Sequence, residues 1–194
     1  MCSSDLHFIE SLEAVKEQNG GKSVQVVAHS MGGLVAYAAL GQRPDLFRCL
    51  VLAGVPLHGG IGFLEDLHSG KKEGLNSHIL SPNVLATFPS VYSFFGLDDN
   101  RLVEADGRRI DADMFEQTEW SRLAIGQFGQ PHPIPKSEFE PFFKTALSQA
   151  KEFRKKLNFT SDSYVIGSTP KIHIVASKSH DTLLNVVRDG PRAV

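Results

Sequence analysis

The chain has 194 residues, 41% of them hydrophobic and 22% charged, which is enough length and apolar content for one domain with a full core. The formal net charge of −2 leaves no basic footprint for nucleic acid. No apolar run reaches the roughly 20 residues of a membrane-spanning helix, and two cysteines, Cys2 and Cys49, neither support nor exclude an oxidising compartment.

In chain order, Leu6, Ile9, Leu12 and Val15 recur at helical spacing and predict a helix over 5–18, stopped by Asn19-Gly20-Gly21. The opening MCSSDL resembles a translated sequencing-adapter tail, so residues 1–6 are expected to be non-native. A strand follows over 23–28, rich in valine, and then a helix over about 31–41. Between them sits Ala28-His29-Ser30-Met31-Gly32, a variant of the G-x-S-x-G nucleophile elbow. Such an elbow holds its serine in strained backbone geometry, so that the hydroxyl projects from the sheet. The positions two before and two after the serine should pass close together, and Ala28 and Gly32 are both small. Gly33 is expected to extend the open space at the helix start. The backbone N–H of Met31 would face a developing oxyanion, aided by the positive end of the helix.

Arg43-Pro44-Asp45 reads as a turn. The unbroken apolar run from Cys49 to Gly54 suits a strand buried on both faces, with Cys49 as a small core residue. Helix, strand, helix and strand in this order indicate an α/β fold with a parallel sheet. From Gly59 to Gln130 the pattern breaks into short helical pieces, over 61–68, 82–94 and 111–127, as expected of a lid or cap insertion. Pro131-His132-Pro133-Ile134-Pro135 is a rigid linker. Ser137 and Glu140 form a capping box. The helix behind it carries Phe139, Phe142, Phe143, Ala146, Leu147, Ala150, Phe153 and Leu157 on one apolar face. Lys171 to Ala176 reads as a strand, followed by a short helical run over 183–187.

A serine nucleophile needs a histidine base, which in turn needs an acid to fix its tautomer. In this fold they follow the serine in the order acid, then histidine. Asp181 stands after a late strand, as a generic triad acid would, yet no histidine follows it. His29 lies inside the elbow, where it shapes the turn and points the wrong way for a base. His58 follows a sheet strand and could rim the site, and His180 reads as a loop residue. His7, His68, His78, His132 and His173 form no usable pattern. The chain is therefore expected to be an internal fragment, inactive by itself, with its base beyond Val194. No metal cluster or phosphate loop occurs, so no cofactor is implied, and the compartment stays open.

Four segments, AHSMGGLVAYAAL, LVLAGVPLHGGIGFLEDL, FPSVYSFF and DADMFEQTEWSRLAIGQF, resemble the lecithin:cholesterol acyltransferase-like group of α/β-hydrolases. That group includes phospholipid:diacylglycerol acyltransferases and related phospholipases A, and the likeness runs over about 22–188. It implies a partial α/β-hydrolase domain over 7–194, with a lid at 59–130. Ser30 would be the nucleophile and Met31 an oxyanion donor through its backbone. It also implies that the triad acid comes later, in a Gly-Asp-Gly-like segment, which makes Asp181 a bystander. The implied activity is acyl transfer from a glycerolipid, at a membrane or lipid-particle surface, to water, a sterol or a diacylglycerol. Phe63, Leu64, Leu67, Phe88, Tyr92, Phe94, Phe95 and Trp120 then either line an acyl pocket or touch lipid, or simply pack as the lid's own core. Two other functions fit the same elbow: a non-catalytic α/β-hydrolase-like binding protein, and a serine hydrolase of soluble esters.

Overall fold

A computed structural model of the chain describes residues 4–73, 76–97, 102–129, 133–158, 170–177, 179, 185–189 and 192–193. The chain divides into two compact units, one of 1–57 with 153–181 and one of 58–152 with 182–194.

In the first unit, α1 (Ser4–Gln18) precedes β1 (Val24–His29), α2 (Met31–Gln42) and β2 (Phe47–Ala53), with a 3₁₀ turn at Pro44–Leu46. With β6 (Lys171–Val175) these strands form a sheet of order β1-β2-β6, parallel throughout. Parallel neighbours need a crossover, and α2 is the crossover between β1 and β2. Its alanines Ala36 and Ala39 let the helix lie close to the sheet, where they pack with Val26, Leu50 and Leu52 and with Ile9 and Leu12 of α1. Burying such side chains contributes about 1.5–3 kcal/mol for each Leu or Ile. At the surface, Arg43 pairs with Glu13 and with Asp45, joining α1 to the turn after α2.

The apolar run of β2 is not buried on both faces. Leu50 and Leu52 are buried, whereas Cys49, Val51 and Ala53 are half-exposed. The register sets Val27 beside Val51, and Val27 is 76% exposed. Among the described residues, therefore, that face of the sheet carries no covering layer, and the side chains of β6 are exposed. The β2 core and the β1–α2–β2 order come from local hydrophobic pattern. The second cover that an all-apolar strand implies is not among the described residues.

The second unit contains α3 (Phe63–Ser69), the hairpin of β3 (Lys71–Glu73) and β4 (Asn76–Leu80), and α4 (Pro82–Leu85). It also contains a 3₁₀ turn at Pro89–Phe94, β5 (Leu102–Glu104), α5 (Gln117–Leu123) and a 3₁₀ turn at Gly126–Phe128. The helix expected over 82–94 is split because Pro89 pushes Phe88 into extended geometry, φ −91° and ψ 106°. The helix expected over 111–127 shortens to α5, which ends where Ala124 turns left-handed at φ 51°. The hairpin and β5 have no counterpart among the elements the sequence predicts. Of the helical run expected over 183–187, residues 183–184 lie outside the described residues. Val186 and Val187 belong instead to β7 (Val186–Asp189), paired parallel with β5 and antiparallel with β8 (Arg192–Ala193). Two adjacent β-branched residues with a strand partner favour this outcome.

The long helix is α6 (Lys136–Lys156). It starts two residues earlier than the capping box suggests: the N–H groups of Glu138 and Phe139 both bond to the Pro135 carbonyl, which places Ser137 inside the first turn. Phe142 is exposed, at the edge of the apolar stripe, while the other seven residues of that face are buried. Phe139, Phe143, Ala146, Leu147 and Ala150 join the second unit's core, and Phe153 and Leu157 pack with Leu34 and Ala38 in the first. Of the eight residues expected either to line an acyl pocket or touch lipid, or to pack as the lid's own core, Leu64, Leu67, Tyr92, Phe95 and Trp120 are core of the second unit. Phe63 and Phe94 stack on each other, half-buried, with centroids 5.1 Å apart, and Phe88 is exposed.

Candidate active site

The chain turns from β1 into α2 through one residue, Ser30, at φ 51° and ψ −128°. A non-glycine residue in this sparsely populated region costs on the order of 1–3 kcal/mol and persists only where surrounding bonds impose it. Those bonds are visible. The Ser30 N–H donates to the Ala53 carbonyl at the end of β2, 3.2 Å, and the Ser30 carbonyl accepts from Gly33 N–H, 3.0 Å. Serine before a helix ordinarily caps it with its hydroxyl, but Ser30 makes no side-chain cap bond. Its hydroxyl is not used for folding the turn. Met31 is the first residue of α2, so its N–H lies at the positive end of a 12-residue helix.

The two glycines after the serine have roles opposite to those expected. A Cβ added at Gly32 would meet nothing within 4 Å. At Gly33 it would run into the Val55 side chain, 2.8 Å from Cγ1. Gly33 is thus the position of close approach, not an open space, and the contact is made by a residue beyond the end of β2. Gly33→Ala is expected to lower stability by roughly 1–3 kcal/mol, because a short β-branched neighbour has no free rotation with which to yield. Gly32→Ala should be neutral or slightly stabilising. Thermal melts of the two variants provide the check.

His29 is exposed at the end of β1. A Cβ on Gly54 would lie 3.8 Å from its Nε2, and among the described residues it makes no hydrogen bond to Ser30. Gly54 itself turns at φ 55° and donates its N–H to the Val175 carbonyl, 3.0 Å, tying the ends of β2 and β6 together. His173 is exposed on β6, on the same open face as Val27 and Val51. In the second unit, His58 is exposed, and His68 is buried with its Nδ1 accepting the Gly126 N–H at 3.2 Å. That bond holds a loop and gives His68 a packing role. Asp181, His180 and His132 lie outside the described residues.

One residue near the elbow has no signature in the sequence. Arg154, at the end of α6, is buried and donates to the Leu57 carbonyl at 2.7 Å and to the Pro56 carbonyl at 3.3 and 3.4 Å. Burial pulls its pKa down to about 10. Its partners are backbone atoms far away in sequence, and its setting, Phe153-Arg154-Lys155-Lys156, reads as a solvated basic helix end.

The sequence has a counterpart among known families. A sequence model described as the alpha/beta hydrolase fold matches residues 2–169. The chain belongs to the alpha/beta hydrolase fold family. The α/β fold with a parallel sheet follows from this membership and from β1, β2 and β6. Members of the family are mostly hydrolases, and the match does not reach the lecithin:cholesterol acyltransferase-like group within it. The chain is similar to an uncharacterized protein of Saccharomyces cerevisiae, 29% identical over 126 residues, covering 61% of this chain and 18% of that one. It spans less than a fifth of that relative's length. It is also similar to a chain in the crystal structure of the Tle4–Tli4 complex, with 16% identity and a TM-score of 0.48, over 76% of this chain and 37% of that one.

Proposed function

We propose that this alpha/beta hydrolase-fold protein carries out serine-dependent acyl transfer on a glycerolipid ester, with Ser30 as nucleophile. The observation that supports this most is the backbone of Ser30: a strained single-residue turn, imposed by β2, whose hydroxyl does no capping. Such strain costs stability while the hydroxyl makes no bond in the turn, and a serine held for chemistry accounts for it. Ser30 Oγ would attack the ester carbonyl carbon while a base takes its proton. The resulting oxyanion would accept the Met31 N–H, and collapse would expel the protonated alcohol and leave an acyl-serine. Attack by water releases a fatty acid; attack by a sterol or diacylglycerol hydroxyl makes a new ester. Motifs resembling the lecithin:cholesterol acyltransferase-like group favour a lipid substrate.

A second reading, hydrolysis of soluble esters, draws support from the second unit. Five of the eight side chains nominated for an acyl pocket or lipid surface are core. The test is labelling of the native gene product with a fluorophosphonate. Labelling of the parent and none of Ser30→Ala is the expected result; equal labelling of both overturns the nucleophile assignment. Turnover on phospholipid vesicles exceeding that on short soluble esters supports the lipid substrate, and the reverse order supports the second reading.

A further inference from the structure

We propose that Arg154 is a positioning residue for the nucleophile elbow, acting through the loop that follows β2. All the parts lie in the first unit. Val55, Pro56 and Leu57 form a tight three-residue turn, in which the Leu57 N–H donates to the Val55 carbonyl at 2.9 Å. The ring of Pro56 fixes its own φ for such a turn. The turn leaves the carbonyls of Pro56 and Leu57 turned away from that bond, and the guanidinium of Arg154 takes both of them. Arg154 is 3% exposed, so this is not a surface contact. A guanidinium presents several donors in one rigid plane, which suits the fixing of two adjacent carbonyls at once.

What the clamp holds in place is Val55. Its side chain fills the space over Gly33, in the first turn of α2. Gly33 in turn bonds to the Ser30 carbonyl. A continuous set of contacts therefore runs from Arg154 through Pro56 and Leu57 to Val55, to Gly33, and to the residue at φ 51°. Val55 and Leu57 also pack beside Leu34, Ala38, Phe153 and Leu157, so the end of α6 and the start of α2 share one apolar cluster with this loop. Burying a guanidinium is costly unless its hydrogen bonds are made, and a hydrophobic residue of similar size would serve packing alone. Retaining the charge fits a need for fixed geometry at the start of α2, where the Met31 N–H has to meet a developing oxyanion. An error of about 1 Å in such geometry can cost on the order of 10²-fold in rate.

The test compares the native gene product with Arg154→Met and Arg154→Lys, at a temperature where circular dichroism shows each to be folded. Hydrogen exchange is read at the amides of residues 31–34 and of Val55 and Leu57, with those of α1 as reference. Arg154→Met is expected to exchange about tenfold faster or more in both segments relative to α1, since the clamp stabilises them locally. The rate of fluorophosphonate labelling at Ser30 is expected to fall by about tenfold or more, with Arg154→Lys in between because it keeps the charge and one set of donors. If Arg154→Met does not fold, Arg154→Lys carries the comparison. Exchange over 31–34 no faster than the parent in the folded variants overturns the proposal. The labelling half rests on the acyl-transfer reading of Ser30 and the exchange half does not. An unlabelled parent therefore defeats that reading alone, and the exchange rates still decide the role of Arg154.

Discussion

Ser30→Gly is expected to make the protein more stable and chemically inert. Ser30 sits at φ 51° and ψ −128°, where a Cβ is strained. Glycine enters this region without that penalty. It relieves roughly 1–3 kcal/mol of strain and returns part of that through the freedom glycine adds to the unfolded chain, roughly 0.4–1 kcal/mol. The net expectation is a gain of about 1 kcal/mol. Ser30→Ala keeps the Cβ and hence the strain, and because the hydroxyl makes no cap bond its loss should change stability little. The denaturant midpoints should therefore rank glycine above alanine and serine, with the last two close together. A glycine variant no more stable than the alanine variant would show that the turn is unstrained. On the proposed nucleophile role, both variants of the native gene product should lose turnover by on the order of 10⁴-fold or more, as nucleophile removal does in serine hydrolases. Stability rising while activity disappears is the signature of a residue kept for chemistry and not for folding.

The part of the fold that was legible in the sequence is the part decided locally. The valine run of β1, the serine at its end, the alanines of α2 and the apolar run of β2 each declare themselves within a few residues, and together they identify a parallel β–α–β unit with its elbow. Pairings decided at long range were not legible. Val186 and Val187 are strand only because Leu102 and Val103 lie beside them. Near the site the same limit holds. Gly32 and Gly33 are chemically identical in the sequence, and only the placement of Val55 separates the one that must be glycine from the one that need not be. Arg154 was hidden for a related reason: its partners are the carbonyls of Pro56 and Leu57, and a carbonyl has no sequence signature. The aromatic residues between 59 and 130 were legible as apolar. Whether apolar means core or ligand surface depends on which rings face each other, and the pattern within one strand or helix does not contain that.

Trp120→Ala distinguishes those two meanings. In the second unit Trp120 is buried, with Phe143, Phe95 and Tyr92 edge-on to it at centroid distances of 5.1, 5.6 and 6.0 Å. Its Nε1–H donates to the Met114 carbonyl at 2.9 Å. Gly126, at φ 54°, lets the backbone pass so closely that an added Cβ would stand 3.0 Å from the indole. Truncation would remove the rings' common partner and leave a buried carbonyl without its donor. Large aromatic-to-alanine changes in cores cost roughly 3–5 kcal/mol, and an unpaired buried carbonyl adds about 1–3 kcal/mol. A loss of about 4 kcal/mol or more is therefore expected in denaturant unfolding. Had the indole lined an acyl pocket, alanine would instead lengthen the pocket at little cost in stability and shift the preferred acyl chain upward. A Trp120→Ala protein as stable as its parent, with a longer preferred acyl chain, would return this residue to the substrate. Phe88→Ala is the matched control: Phe88 is 47% exposed, and surface truncations of this kind stay within about 0.5 kcal/mol. A side chain already enclosed by three rings and a carbonyl has no surface left to offer a ligand.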